Sequence, residues 1–370
     1  MTGFTPPPYP YDRLDGIIEQ AAAHPGGAVD LSIGTPNDPP PPAVVAALGG
    51  SDTERGYPPS VGRPELREAA ARFMQRRLGV EVDPAHVAAT IGSKEFVAGT
   101  PHWLRLRLPD RDTVLYPEVS YPTYAMGATL AGCRAVAVPV DPEHGLDVAA
   151  IDPSDAERAL CLWSNSPANP GGTLDDLAAI AAWGRHHGVP VLSDECYVEY
   201  TWRGAYRTVL EHGSDGVLAL HSLSKRSNMA GVRVGFYAGD PDLVHYLSEV
   251  RKHAGFMCPG PAQAAGIAAL DDDEHVELQR ARYRGRLERL RGILAAGLSL
   301  DVPMPAGGFY LWAAAPDGDC WSLTERLAKE AGLVVSPGEF YGEAGSGHVR
   351  IALVCPDEAL DLVAGRLGVA

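Results

Sequence analysis

Seven short apolar segments alternate with stretches of helical periodicity, and this alternation restricts the chain to few folds. Segments that are apolar throughout predict strands buried on both faces, whereas several stretches between them repeat with the period of a helix. The predicted strands span residues 87–91, 113–116, 134–140, 159–163, 190–194, 217–222 and 232–238. The helices predicted between them span residues 94–107, 123–131 and 174–187. We therefore expect an α/β fold with a mainly parallel central sheet and helices on both faces.

The remainder of the chain predicts a second, smaller domain. A predicted helix over residues 64–78 opens with Pro-Glu, and a helical run from residue 242 into the 280s is broken by Pro-Gly-Pro at 259–261. A chain of 370 residues is long enough for two domains. We expect an N-terminal arm and part of a small domain in residues 1–45, a large domain in 46–285, and a small α+β C-terminal domain in 286–370.

The charge of the chain excludes some classes of partner. It has 47 acidic and 31 basic side chains, a net charge of −16, which repels nucleic acid and anionic membranes. No stretch approaches the roughly 20 apolar residues of a membrane-spanning helix, and the N-terminal residues lack the pattern of a secretory signal. Six scattered cysteines without a C-x-x-C pair predict reduced thiols and a cytoplasmic location. An anionic substrate must therefore be bound by a few local cations.

Polar residues follow four of the predicted strands at the points where those strands end. They are Gly92-Ser93-Lys94, Asn165 and Asn169, Asp194 and Tyr197, and Ser222 and Lys225. Ligands of open parallel sheets bind beyond the carboxyl ends of the strands. We therefore expect these side chains to line one crevice.

Two of these residues could carry unusual chemistry. Lys225 ends the motif H-S-L-S-K, and a lysine held partly out of water at a strand end has a lowered pKa that favours Schiff-base formation. A solvated surface position is the alternative for an isolated lysine. Asp194 ends the apolar run V-P-V-L-S-D, where a buried carboxylate needs a cation or strong donors. A protonated pyridine nitrogen would be such a cation, and capping of a turn is the alternative.

The neighbouring loops and one late strand suggest further ligands. Gly92-Ser93-Lys94 lies where a strand gives way to a helix, whose free N–H groups favour a phosphate, although glycine there also has a conformational explanation. The chain lacks the glycine-rich patterns of nucleoside triphosphate and dinucleotide sites, and its histidines lack the spacing of metal ligands. Arg350, in H-V-R-I-A-L, needs an anion, for which a substrate carboxylate and a structural salt bridge are both open.

Taken together, these residues resemble the class I/II aminotransferases of the fold-type I pyridoxal-phosphate enzymes, across essentially the whole chain. The family's ordered positions are matched by Gly34, Tyr121 in S-Y-P-T-Y, Asn169 in N-P-G-G, Asp194 and Tyr197 in D-E-C-Y, Ser222 and Lys225 in S-L-S-K, Arg233 and Arg350. The resemblance implies a pyridoxal 5′-phosphate cofactor, amino acid and 2-oxo acid substrates, and Lys225, Asp194 and Tyr197 as catalytic residues.

The same resemblance implies a role for each matched residue. Lys225 binds the cofactor as a Schiff base and moves a proton between the substrate Cα and the cofactor C4′. The other roles are Asp194 on the ring nitrogen; Asn169 and Tyr197 on the ring oxygen; Tyr121 stacked on the ring; Ser93, the Lys94 N–H, Ser222 and Arg233 on the phosphate; and Arg350, Gly34 and Asn169 on the substrate. Tyr57, in R-G-Y-P-P-S-V-G, resembles the tyrosine that reaches the phosphate of a neighbouring subunit, which implies a homodimer with shared active sites.

Longer phrases are similar to the actinobacterial N-succinyldiaminopimelate aminotransferases of lysine and diaminopimelate biosynthesis. Among these phrases are I-G-S-K-E-F-V-A, L-S-D-E-C-Y-V-E and H-S-L-S-K-R-S-N-M-A-G. This implies amino transfer between N-succinyl-LL-2,6-diaminopimelate and 2-oxoglutarate. Gly231-Val232-Arg233 departs from the subgroup's G-Y-R, so an aminotransferase for another amino acid and a carbon–sulfur β-lyase stay open. The candidates for binding the distal end of the substrate are Lys94, Arg226, Arg251 and Lys252.

Overall fold

The predicted sheet is present in the computed structural model of the chain, which describes residues 4–50, 52–53 and 55–369. Within these residues its strands, named β1 to β7 in chain order, are Val87–Thr90, Thr113–Pro117, Arg134–Val138, Ala159–Asn165, Val191–Asp194, Val217–Ser222 and Gly235–Gly239. They lie in the order β1-β7-β6-β5-β4-β2-β3. Neighbouring strands are parallel except at β7, which runs antiparallel to both β1 and β6. The expectation of a mainly parallel sheet is confirmed.

The central strands β4, β5 and β6 are buried along their whole length. Side chains alternate between the two faces of a strand, so a strand covered on both faces must be apolar at successive positions. Trp163 and Leu192 accordingly pack in one core cluster, whereas Leu162 and Val191 pack in another. Burial of each such side chain stabilises the fold by about 1.5–3 kcal/mol.

Helices cover both faces of this sheet and complete the larger of two compact units, Thr35–Arg282 with Pro305–Gly308. Its α-helices are Pro42–Gly49, Pro64–Phe73, Ser93–Arg107, Thr123–Leu130, Pro153–Arg158, Leu177–His187, Leu223–Arg226, Pro241–His253 and Gly260–Leu270. The local sequence determines where several of these helices begin. For example, the carboxylates of Asp176 and Asp240 accept hydrogen bonds from the first turns of the helices that follow them. Among the described helices, none is long and apolar enough to cross a membrane.

Two of the differences between predicted and observed elements have clear local causes. The strand expected from residue 232 begins only at Gly235, because Ala230–Val232 forms a 3-10 turn and Arg233 adopts a left-handed conformation with φ of 62°. The helix expected over residues 64–78 is an α-helix only as far as Phe73 and continues as the π-helix Met74–Leu78. Left-handed Gly79 then ends it, as glycine commonly does at a helix C-terminus.

The smaller unit comprises the chain up to Gly34, Tyr283–Met304, and the chain from Phe309 onward. In its antiparallel sheet, Tyr310–Ala314 and Ser336–Pro337 flank His348–Ala352, and a separate parallel pair joins Val29–Asp30 to Leu333–Val334. Its helices are Asp15–Ala22, Cys320–Ala331, Asp357–Arg366 and most of Glu274–Leu298. The domain limits near residues 45 and 286 stay a prediction.

Candidate active site

The strands β4, β5 and β6 end at one edge of the sheet, where polar side chains gather. Asn165, the last residue of β4, is in register with Asp194, the last residue of β5, and Ser222 ends β6. The short helix Leu223–Arg226 follows β6 directly and carries Lys225. Because the three strands are parallel, the strand-end residues singled out in the sequence lie at a common edge.

Asp194 is held by two donors in a buried position. Its side chain is 6% exposed. The Tyr124 hydroxyl donates to Oδ2 over 2.9 Å, and the Cys196 N–H donates to Oδ1 over 3.2 Å. Burial nevertheless raises the pKa of Asp194 above its ordinary value, against the effect of these donors. A cation placed against this carboxylate would therefore be bound firmly.

Asn165 connects β5 to the loop that contains Asn169. The Asn165 side-chain amide donates to the backbone carbonyl of Asp194 over 2.8 Å. Its Oδ1 accepts the backbone N–H of Asn169 over 2.7 Å. One side chain thus fixes Asn169 relative to Asp194, although the two residues belong to different strand–loop connections.

Lys225 lies half-buried beside Cys196. Burial and the Asp194 carboxylate raise the pKa of the Cys196 thiol well above its ordinary value, whereas Ser93 and Lys225 act in the opposite direction. These three groups influence one thiol because they surround it. The Tyr200 hydroxyl also donates to the backbone carbonyl of Lys225 over 2.9 Å, which anchors the lysine backbone.

A cradle for an anion lies at the start of the helix Ser93–Arg107. Gly92 precedes it with φ of 71°, and a Cβ there would overlap the guanidinium of Arg233. That guanidinium is held by the carbonyls of Ala230, over 2.9 Å, and Ile91, over 3.4 Å. A helix N-terminus beside an arginine is suited to a phosphate, since free N–H groups and a fixed positive charge point to one place.

The groups of this unit fit pyridoxal phosphate part by part. The cradle would supply donors and positive charge for the phosphate, and buried Asp194 would supply the anion for a protonated ring nitrogen. Lys225 would supply the amine for the aldehyde carbon. Among the described residues, no three His, Cys, Asp or Glu side chains are grouped to hold a metal ion.

Three tyrosines expected at the cofactor lie in different surroundings. Tyr121 is half-buried, with its ring edge-on to Tyr124 at 6.0 Å, and the Nζ of Lys94 lies 6.0 Å from the Tyr121 ring centre. Tyr197 is 7% exposed, whereas Tyr57 is 97% exposed. Tyr57 therefore makes little contact within its own chain.

Arg350 lies in the smaller unit, enclosed by aromatic rings. It is 3% exposed, and its guanidinium carbon lies 4.4 Å from the ring centre of Tyr310 and 4.7 Å from that of Tyr341. It donates to the carbonyl of Ser32 over 2.6 Å and to the Tyr11 hydroxyl over 3.4 Å. Although burial raises the pKa of Tyr11, Arg350 and hydrogen bonds bring it below its ordinary value. The region around Arg350 thus favours negative charge.

Gly34 belongs to the same unit as Arg350. A Cβ at Gly34 would overlap the hydroxyl of Tyr310, one of the two rings beside the guanidinium. The close approach of backbone and ring therefore requires glycine at this position.

The four cations proposed for the distal end of the substrate are not equally available. Arg226 is 4% exposed and bonded to Glu199 over 2.6 Å, and Arg251 is 1% exposed and paired with Glu95 over 2.7 Å. Arg226 already neutralises the buried Glu199 and Arg251 the partly buried Glu95, so we exclude both arginines as substrate ligands. Lys94 and Lys252 are exposed, and Lys94 is the one beside Tyr121.

Sequence reasoning assigned no role to Tyr124, Cys196 or Tyr200. Tyr124 lies in the helix Thr123–Leu130, whereas Tyr121 precedes that helix, so helical spacing gives no signal for Tyr124. Nothing local links Tyr124 to Asp194 either, 70 residues away.

Known proteins of similar sequence and structure are aminotransferases. The chain matches the family described as aminotransferase class I and II over residues 27–367. It is 44% identical to the 4-dedimethylamino-4-oxo-anhydrotetracycline transaminase OxyQ of Streptomyces rimosus, over 98% of this chain and 99% of that protein. It is 34% identical to an LL-diaminopimelate aminotransferase of Aquifex aeolicus, over 98% and 96% of the two chains. A solved structure described as a probable N-succinyldiaminopimelate aminotransferase of Thermus thermophilus has a TM-score of 0.85 at 32% identity, covering 97% of this chain and 99% of that one.

Proposed function

We propose a substrate for this chain, which belongs to the class I and II aminotransferases and uses pyridoxal 5′-phosphate as its cofactor. The proposed reaction transfers the amino group of N-succinyl-LL-2,6-diaminopimelate to 2-oxoglutarate, in lysine and diaminopimelate biosynthesis. The bound cofactor supplies an electron sink for the bond broken at the substrate Cα. The motif phrases shared with the N-succinyldiaminopimelate enzymes and the similarity to the Thermus protein support this substrate.

The exposed Lys94 ammonium beside Tyr121 is the observation that carries the proposal. The substrate bears a succinyl carboxylate far from its reacting carbon, and this acidic protein must provide a local cation for it. Arg226 and Arg251 are already paired with Glu199 and Glu95. Lys94 keeps a solvent-accessible charge at the tyrosine expected to stack on the cofactor. We therefore assign the succinyl carboxylate to Lys94.

Of the remaining site residues, some would bind the cofactor and others the substrate. Lys225 would hold the cofactor and carry the proton between Cα and C4′, with Asp194 keeping the ring nitrogen protonated. Tyr197 and Asn169 would bind the ring oxygen, and Tyr121 would stack on the ring. Ser93, the Lys94 N–H, Ser222 and Arg233 would hold the phosphate. Arg350, next to Gly34 in its own unit, would bind the α-carboxylate.

Exposed Tyr57 supports a homodimer. Tyr57 is 97% exposed, so its side chain is accessible to a second copy of the chain. We propose that Tyr57 reaches the cofactor phosphate of a second copy of the chain in the cytoplasm. Sedimentation analysis of the holoenzyme tests the dimer, and a monomer at micromolar concentration would contradict it.

A panel of amino donors assayed with 2-oxoglutarate tests the substrate. We expect glutamate formation to be fastest with N-succinyl-LL-2,6-diaminopimelate and much slower with unsuccinylated LL-2,6-diaminopimelate, aspartate and aromatic amino acids. Activity with those donors but none with the succinylated diamine would overturn the substrate and leave the class intact. Release of pyruvate and ammonia from a cysteine-type donor without an oxo acid would instead indicate the β-lyase.

The 44% identity to OxyQ favours one second candidate, the amination of a ring ketone in a tetracycline-type compound. Incubation with glutamate and 4-dedimethylamino-4-oxo-anhydrotetracycline, followed by mass spectrometry, distinguishes the two. Formation of the amine at a rate above that with the succinylated diamine would favour the second candidate.

A further inference from the structure

Glu195, the residue after Asp194, faces His221 inside the protein. Glu195 is 1% exposed and His221 is 4% exposed. The Glu195 N–H donates to the carbonyl of Leu220 over 2.9 Å, which brings the end of β5 beside β6. Oε2 of Glu195 then lies 3.5 Å from Nε2 of His221. The two side chains therefore meet directly below the strand ends that carry Asp194 and Ser222.

The contact brings together two buried polar atoms that otherwise lack hydrogen-bond partners. The other carboxyl oxygen of Glu195, Oε1, accepts the Val209 N–H over 2.8 Å and the Ser193 hydroxyl over 3.0 Å. Within the described part of the chain, neither Oε2 of Glu195 nor Nε2 of His221 has a hydrogen-bond partner. Without a proton, two hydrogen-bond acceptors would face one another with no donor, and with both groups charged, two charges would be buried. Either state would be costly, whereas a single proton between the two atoms gives each of them a hydrogen bond.

The surroundings oppose charge on either group. The His221 ring packs between Phe236, stacked at 4.9 Å, and Phe73, edge-on at 5.6 Å. The adjoining cavity measures about 10 Å³, which is at most enough for one water, so an ionised Glu195 would have no hydration shell. Burial raises the pKa of Glu195 to about 7. Burial, with the nearby Arg226 guanidinium, lowers the pKa of His221 to about 3.

The charged neighbours of the pair also disfavour charge on Glu195 and His221. Asp194 and Cys196 flank Glu195 in sequence, and the Asp194 carboxylate disfavours a second anion beside it. Glu199 and Arg226 line the cavity and neutralise one another at 2.6 Å. The helix Pro64–Phe73 contributes only the apolar ring of Phe73 to this cavity. Hydrogen bonds from Val209, Thr208 and Ser193 favour an ionised Glu195, but burial acts more strongly in the opposite direction.

We propose that Glu195 and His221 form one uncharged hydrogen-bonded pair, with the proton on Glu195, and that this pair is a positioning element for the cofactor. Its effect is to leave Asp194 as the single anionic carboxyl beneath the ring nitrogen. Loss of the Glu195 proton would add a second negative charge one residue away and would strengthen proton binding at the ring nitrogen and at Lys225. The inference depends on cofactor binding at Asp194 and not on the identity of the substrate.

Infrared spectroscopy of the holoenzyme tests the location of the proton. A protonated carboxyl has a carbonyl stretch that ionised carboxylates lack, so we expect the spectrum of wild type minus Glu195→Gln to contain this band at about pH 6 and to lose it at about pH 9, on either side of the raised pKa. Asp175→Asn is the matched control, because burial also raises the pKa of Asp175 to about 7. In the spectrum of wild type minus Asp175→Asn, the Glu195 band should cancel, because both proteins contain it. A difference spectrum without a carboxyl band at about pH 6 would overturn the proposal.

Two further measurements separate positioning from a merely structural role. In His221→Phe, the Glu195 band should persist at a higher frequency, because the proton has lost its acceptor; an unchanged frequency would overturn the pairing. The absorption of the bound cofactor should change with pH in wild type through a step near pH 7 that Glu195→Gln lacks. Identical cofactor titrations in the two proteins would overturn the effect on the cofactor, and this result is independent of any substrate assay.

Discussion

The hydroxyl of Tyr124 donates a hydrogen bond to Oδ2 of Asp194 over 2.9 Å. Tyr124 is fully buried and its ring stacks on Trp163 at 5.2 Å, so the donor cannot turn away from the carboxylate. A buried anion with a fixed donor keeps its charge more easily than one that relies on mobile groups. Tyr124 therefore supports the carboxylate that we propose for the protonated cofactor ring.

Tyr124→Phe should weaken cofactor binding while preserving the ring packing. Hydrogen bonds to charged groups contribute about 1.5–3 kcal/mol, so we expect the dissociation constant of the cofactor to rise about 10- to 100-fold. Equilibrium dialysis with cofactor absorbance measures this. Tyr237→Phe is the matched control, because the buried Tyr237 hydroxyl bonds to Ser248 at 3.1 Å. Equal losses in the two variants would mean that Tyr124 acts through general stability.

Gly92→Ala should disrupt the phosphate cradle. A Cβ at Gly92 would overlap the Arg233 guanidinium, and the φ of 71° is itself unfavourable for alanine. We expect at least about a tenfold loss of affinity for pyridoxal phosphate, with a smaller loss for pyridoxal, which has no phosphate to misplace. Gly231→Ala is the control, since a Cβ there meets no atom within 4 Å. Parallel losses for both ligands would argue against a phosphate site.

The sequence predicts the strands and their polar ends because both signals are local. A continuous apolar run indicates a doubly covered strand, and Asp194 and Ser222 stand where such runs stop. The antiparallel direction of β7 has no comparable signal, since an apolar run reads alike in either direction. It follows from long-range pairing with β1 and β6.

The availability of charged side chains is also decided by distant contacts. Arg251 and Lys94 are equivalent candidates in the sequence, but Arg251 is buried against Glu95, 156 residues away. The pairing of Tyr124 with Asp194 is hidden for the same reason. Sequence therefore predicts which polar residues stand at the strand ends better than it predicts which neighbours hold them in place.

Lys225→Ala should abolish the covalent bond to the cofactor. Borohydride reduction followed by mass spectrometry should label wild type and leave the variant unlabelled, because no other amine would occupy this position. Turnover should fall by about a thousandfold or more, since the proton carrier is lost as well. Lys329→Ala removes an exposed lysine with no proposed role in the site and should behave as wild type. A reducible bond retained in Lys225→Ala would show that another residue holds the cofactor.

Lys94→Ala should affect the succinylated substrate selectively. The backbone N–H at this position remains, so cofactor affinity should be close to that of wild type. Solvent-exposed ion pairs contribute up to about 1 kcal/mol, so we expect KM for N-succinyl-LL-2,6-diaminopimelate to rise about fivefold. KM for an amino donor with an uncharged side chain should change little. Equal changes for both donors would argue that Lys94 does not contact the succinyl carboxylate.

The Glu195–His221 pair makes an unusual prediction for the pH dependence of stability. Folding raises the pKa of Glu195 from 4.5 to about 7 and lowers that of His221 from 6.5 to about 3. Between about pH 4.5 and 6.5, the pair binds one proton in both states, on His221 when unfolded and on Glu195 when folded. Since stability depends on pH only through the difference in bound protons, the intact pair adds no slope in this range.

Each single substitution should remove one of the two opposing contributions to the pH dependence of stability, so that the other can be measured. In Glu195→Gln only His221 is left to titrate, and it binds a proton in the unfolded state but not in the folded one. The free energy of unfolding relative to wild type should therefore rise as pH increases from about 4.5 to 6.5. In His221→Asn only Glu195 is left to titrate, and it binds a proton in the folded state but not in the unfolded one. The free energy of unfolding relative to wild type should therefore fall over the same range. The slopes should approach about 1.4 kcal/mol per pH unit, with opposite signs, and should cancel in the double variant. Urea unfolding of the holoenzymes at fixed protein and cofactor concentrations measures them. Two single variants that both track wild type across this range would show that the pair exchanges no proton on folding.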